Sequence, residues 1–249
     1  MSKHFELLQE IEKEQSRRRE SVSAPVFPPE ELIARSSEQS RWSIDEALRV
    51  VQQIFLGQAQ DAPRVVVFAG VDHGSGCSQI SASVAELLAK HANRRPVCLV
   101  EANFRSPSLP GMYGTPNHYG LTEAICREEP ITSFLRPLPQ ENLWMLSSGT
   151  LAGDSPELFS SANFRERISQ LRQQFYYVII DAPPLGQYSD AVAVGQNADG
   201  LVLVLEANST RKESASAVAN NLRAAGVPIL AAVLNKRTFP IPEQLYKRI

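Results

Sequence analysis

Cysteine is scarce in this 249-residue chain, and the three present, Cys77, Cys98 and Cys126, form no C-x-x-C pair. With no signal-peptide pattern ahead of them, they predict free thiols in a reducing cytosol rather than a disulfide framework. Long apolar runs are lacking too. The runs at 201–205 and 229–234 fall far short of the roughly 20 residues a bilayer span needs, so the chain is not expected to cross a membrane by itself. Excess charge of either sign is also missing, since 25 Lys and Arg stand against 27 Asp and Glu. No global field draws the chain to nucleic acid or anionic lipid, and no nucleic-acid partner is expected. What remains is a chain with 43% hydrophobic residues, long enough for one large α/β domain or two small ones.

The pattern along the chain divides it into three parts. In 1–41, Phe5, Leu8 and Ile11 at helical spacing precede a charged run with Arg17, Arg18 and Arg19, then a proline-bearing, polar stretch. That composition predicts a short helix followed by an extended linker. The folded domain is expected over 42–239. It opens with a capping box, Ser43 with Glu46, and a helix whose apolar face is Ile44, Ala47, Leu48, Val51 and Phe55. Short apolar strands and helices then alternate: strands at 64–69, 96–101, 142–147, 176–181, 200–206 and 228–234, with helices at 78–91, 162–174, 188–195 and 211–224, and short ones within 121–135. Near-continuous runs such as Val65-Val66-Val67 and Val178-Ile179-Ile180 predict strands buried on both faces, hence a mostly parallel sheet flanked by helices. Residues 240–249 form a tail.

In such a fold, ligands bind outside the C-terminal strand ends. The first strand ends in Gly70-Val71-Asp72-His73-Gly74-Ser75-Gly76-Cys77-Ser78-Gln79 and runs into a helix, the context of a phosphate-binding loop. Its glycines let main-chain N–H groups close on phosphate, and Ser78 offers a hydroxyl for Mg²⁺. The lysine that such a loop aims at the β and γ phosphates is missing, and Cys77 stands in its place. The second strand ends in Glu101 and Asn103, a carboxylate able to act as a base and an amide oxygen able to support Mg²⁺. The third apolar strand ends in Asp181, where phosphate-loop proteins keep the acid that anchors the Mg²⁺ shell. Asp190, nine residues on, is read as a helix cap, and Asn235 closes the last strand.

These residues together resemble the bacterial tyrosine kinase family, P-loop proteins of capsule and exopolysaccharide assembly related to chromosome-partitioning and division-site ATPases. The resemblance covers roughly 43–236. Its most specific piece is Glu101-Ala102-Asn103-Phe104-Arg105-Ser106-Pro107-Ser108-Leu109, similar to the family's I-D-A-D-L-R-x-P-S. Gly120-Leu121, residues 143–146 with Gly149, Ser155-Pro156-Glu157-Leu158, residues 177–184 with Asp190, and Val233-Leu234-Asn235 follow in the family's order. The resemblance implies ATP or ADP and Mg²⁺ as cofactors, with Gly74, Ser75, Gly76, Cys77, Ser78 and Gln79 around the phosphates. It places Ser78, Asn103 and Asp181 at the metal, Glu101 and Asp181 in catalysis, and Asn235 at the adenine.

The same comparison exposes departures. Lysine has become Cys77, the catalytic aspartate Glu101, and a metal-coordinating aspartate Asn103. The tyrosine cluster that family kinases phosphorylate is reduced to Tyr246, and Gln52 replaces one arginine of the E-x-x-R-x-x-R ring helix that keeps Glu46 and Arg49. The expected function is therefore a degenerate kinase with weak or absent phosphotransfer. It would act as regulator or scaffold in capsule or exopolysaccharide synthesis, cytoplasmic and held at the membrane's inner face by an adaptor of the polysaccharide co-polymerase type. The family also implies homo-oligomers. The alternatives are an active tyrosine autokinase, or a positioning ATPase, though residues 70–72 lack the early lysine common in the latter. Cys77 at a helix N-terminus also offers a redox reading, because that position lowers a thiol's pKa.

Overall fold

The computed structural model describes residues 44–55, 62–91, 95–150 and 155–237, all within the unit Trp42–Ile249. The expected helix and linker of 1–41, the cap residue Ser43 and the tail 240–249 lie outside the described residues.

Helix α1, Ile44–Ile54, buries Ala47, Val50, Val51 and Ile54, and packs on α2, Cys77–His91. The strands are β1 Val65–Gly70, β2 Val97–Glu101, β3 Arg136–Pro137, β4 Leu143–Leu146, β5 Tyr177–Ala182, β6 Gly200–Glu206 and β7 Ile229–Asn235. Between them run α3 Leu109–Met112, α4 Leu121–Cys126, α5 Ser155–Ser160, α6 Ala162–Gln174, α7 Asp190–Gly195 and α8 Lys212–Ala224. Among the described residues the sheet has the order β3-β4-β2-β5-β1-β6-β7, and every pairing is parallel except β3 with β4.

The residue-by-residue alternation of a strand sends β1 to both faces. Val65, Val67 and Ala69 join Val178, Ile180 and Phe164 beneath α6 and α7, while Val66 and Phe68 join Ile80, Leu88 and Ile179 beneath α1 and α2. Strands β1, β2 and β5 are buried along their whole length, as their β-branched runs require. At the N-terminal end of the sheet, Asp199 accepts hydrogen bonds from the main-chain N–H groups of Arg64 and Val65 and pairs with Arg172 at 2.7 Å. That end is closed by structure, which leaves the opposite, C-terminal end for chemistry.

Three elements escape the sequence pattern: β3, α3 and α5. Each is at most six residues long, too short for a period of 2 or 3.6 to show. In β3, Pro137 is tolerated because the strand lies at the sheet's edge.

Candidate functional site

The strand order sets β5 between β2 and β1, so the loops leaving these three strands converge at one end of the sheet. The loop after β1 turns through two left-handed residues, Gly74 at φ 82° and Gly76 at φ 84°. Glycine is needed at Gly76 for a second reason. A Cβ there would lie 2.3 Å from Nδ2 of Asn235, which donates at 2.8 Å to the carbonyl of Ser75. The last strand thus pins the loop. From the other side Leu185 and Gly186 donate to the carbonyls of Gly70 and Val71. Helix α2 starts at Cys77, its first turn opened by the Ile80 N–H to Gly76 carbonyl bond of 3.1 Å. Glycine loop and helix N-terminus together form the concavity that suits a phosphate.

A cleft of about 320 Å³ lies over this loop, lined by residues 72–79 with Asn103, Ser106, Met112 and Pro184. The expected residues Gly74, Ser75, Gly76, Cys77, Ser78, Gln79 and Asn103 all face it. Glu101, Asp181 and Asn235 are not among its lining. The two acids stand behind the loop, both essentially excluded from solvent.

Glu101 and Asp181 are register partners across β2 and β5. Burial raises the pKa of both, and in Glu101 the neighbouring Asp181 charge raises it further. The Glu101 carboxylate is engaged three times by main chain: Oε1 accepts from Asn103 N at 3.0 Å, and Oε2 from Ser108 at 2.8 Å and Leu109 at 2.9 Å. These bonds pull its pKa partly back and fold the 103–109 loop onto the acid. Asp181 is different. Neither of its oxygens has a hydrogen-bond partner, although the side chains of Ser78, Cys77 and Ser81 approach closely enough to favour its charged form.

The thiol of Cys77 faces this pair. Desolvation first, and then the Asp181 charge, push its pKa well above the ordinary thiol value. Burial first, and the neighbouring carboxylate after it, work against the lowered thiol pKa that the redox reading requires. All three cysteines are free, with Cys98 buried and Cys126 exposed.

Asn103 and Asn235 carry internal duties as well. The Asn103 side-chain oxygen accepts from the Ser106 N–H at 3.2 Å, and that of Asn235 accepts from the Lys236 N–H at 2.8 Å. Asp190 does not cap α7. It is the first residue of that helix, and its buried carboxylate accepts from Arg105 Nε at 3.0 Å. The Arg105 guanidinium also lies 4.1 Å over the Tyr188 ring. Sequence reasoning assigns Arg105 no role. Its place four residues after Glu101 is visible, but not the distant helix start, Asp190 of α7, that supplies its partner.

Mg²⁺ fits the residues present. The orphaned, buried oxygens of Asp181 beside Ser78 want a cation or donors, and with Asn103 these residues would hold the ion. Among the described residues no three His, Cys, Asp or Glu side chains gather into a metal cage.

Sheet order, glycine loop and strand-end acid define a P-loop NTPase-like fold. No protein-family model matches the chain. It is 25% identical over 195 residues to the putative tyrosine-protein kinase CapB of Staphylococcus aureus, covering 78% of this chain and 85% of that one. Tyrosine-protein kinase CpsD of Streptococcus pneumoniae is 28% identical over 177 residues, 71% of this chain and 77% of its own. Among solved structures the chimerical protein CapA2B2 superposes with a TM-score of 0.73 at 23% identity, covering 86% of this chain and 93% of that one. At lower likeness the fold recurs in a plasmid partition protein and a septum site-determining protein. The chain is a P-loop protein related to the bacterial tyrosine kinases, with a mostly parallel seven-stranded sheet flanked by helices. No helix among the described residues is long and apolar enough to cross a membrane.

Proposed function

We propose that the chain is a nucleotide-binding relative of the bacterial tyrosine kinases whose phosphotransfer is weak or lost, acting as a regulator or scaffold in capsule or exopolysaccharide synthesis. The observation that carries this is the state of Glu101. A general base must reach the proton it removes. The Glu101 carboxylate is buried, absent from the cleft lining and already accepting three main-chain N–H groups, so it works as a loop clasp.

Cys77 adds to this. A lysine would bring a full positive charge to the β and γ phosphates, where a charge-assisted hydrogen bond is worth roughly 1.5–3 kcal/mol, and more where charge develops in a transition state. A neutral thiol supplies none of it. The glycine loop, Ser78 and the N-terminus of α2 survive, and they support retained affinity for ATP or ADP with Mg²⁺. Family resemblance extends the proposal to a membrane adaptor of the polysaccharide co-polymerase type, a site at the inner face of the membrane and self-association.

Calorimetric titration of purified protein with ADP, with and without Mg²⁺, tests the binding half. Mg²⁺-dependent binding is expected, and its complete absence overturns the nucleotide reading. The second reading, an active tyrosine autokinase, is favoured by the kinase names of the relatives. It gains if Cys77→Lys leaves phosphotransfer unchanged, because the lysine position would then never have been limiting.

A further inference from the structure

Among the described residues lining the phosphate-loop cleft, no lysine or arginine appears, and one side chain can carry positive charge: His73. It sits on the limb of the loop opposite Cys77, is exposed, and directly precedes Gly74, where even an added Cβ would meet nothing within 4 Å. The mouth of the loop is therefore open around it. The other titratable groups of the cleft are Asp72 on the same limb and Cys77 at the start of α2, with Glu101 of β2 and Asp181 of β5 behind. Every one of these is acidic or neutral. A polyphosphate entering the cleft meets main-chain N–H groups and hydroxyls, and among the described lining residues it can meet a side-chain cation only at His73.

We propose that His73 is the phosphate-binding cation of this site, taking over from the rim of the loop the charge that Cys77 does not supply. The proposal rests on the nucleotide-binding reading and names a residue that it left without a role.

The test is calorimetric titration of the full chain with Mg-ADP, all at one pH, for the native protein, His73→Gln and His73→Arg. The native protein is expected to bind about tenfold more tightly than His73→Gln, and His73→Arg more tightly than His73→Gln as well. Equal affinities for native protein and His73→Gln overturn the assignment while leaving the nucleotide reading intact. If none of the three proteins binds, both fall together.

Discussion

Glu101 and Asp181 face one another as register partners across β2 and β5, two buried acids behind a cleft whose described lining holds no lysine or arginine. The first is clasped by three main-chain N–H groups, whereas the second has no hydrogen-bond partner on either oxygen. Where the family resemblance implies lysine, Cys77 offers a neutral thiol.

This pair makes stability depend on pH. Each acid has a pKa raised above its unfolded value, so the folded state binds protons more tightly than the unfolded chain. By linkage, the stabilisation is complete below the unfolded carboxylate range and is lost as pH rises toward about 8, the value to which Glu101 is pushed. Urea denaturation across that range is expected to show stability falling by on the order of 1 kcal/mol or more. Asp181→Asn should flatten the curve and raise stability at its alkaline end. A native curve already flat over the range contradicts this.

Cys77→Lys should act on the same pair from the other side. An ammonium beside Asp181 favours both charged carboxylates, so the variant is expected to gain stability at about pH 8 while changing little in acid. Its affinity for Mg-ATP should rise about tenfold, the worth of one charge-assisted bond. Unchanged affinity in calorimetry would show that the position does not face phosphate.

The two left-handed glycines should respond differently. At Gly74 alanine suffers only backbone strain, about 1 kcal/mol, because nothing lies within 4 Å of its Cβ. At Gly76 the same strain is joined by a 2.3 Å approach to the Asn235 amide, which must break its bond to Ser75. Gly76→Ala is therefore expected to cost about 1 kcal/mol more than Gly74→Ala in denaturant melts. Equal costs would show that the amide moves freely aside.

Much of this architecture is legible in the sequence. Long, strongly periodic segments announce themselves: the helix expected at 162–174 forms there, and the β-branched runs of β1 and β5 are buried on both faces as their composition requires. The glycines and strand-end residues fall together because parallel strands put all their C-terminal ends on one side. Contacts over long sequence distances stay hidden. That Asn235 pins Ser75, 160 residues away, or that Arg105 claims Asp190, cannot be read from local spacing. Asp190 reads as a cap because an acid opening a helix usually is one, and only the fold brings an arginine to it.

That ion pair yields its own expectation. Arg105→Ala strands the buried Asp190 carboxylate, of which Oδ1 already lacks a partner. The arginine is 39% exposed, so the loss should be about 1–2 kcal/mol, below the cost for a fully buried pair. Adding Asp190→Asn should recover part of it, and additive losses in this double-mutant cycle would contradict a direct pairing.

The central claim is a nucleotide site that has lost phosphotransfer, and incubation of the purified full chain with labelled Mg-ATP, read out on tyrosine, tests it most directly. The account predicts bound nucleotide and no phosphotyrosine above that of an Asp181→Ala control. Robust tyrosine autophosphorylation in the native chain, abolished by Asp181→Ala, would contradict it.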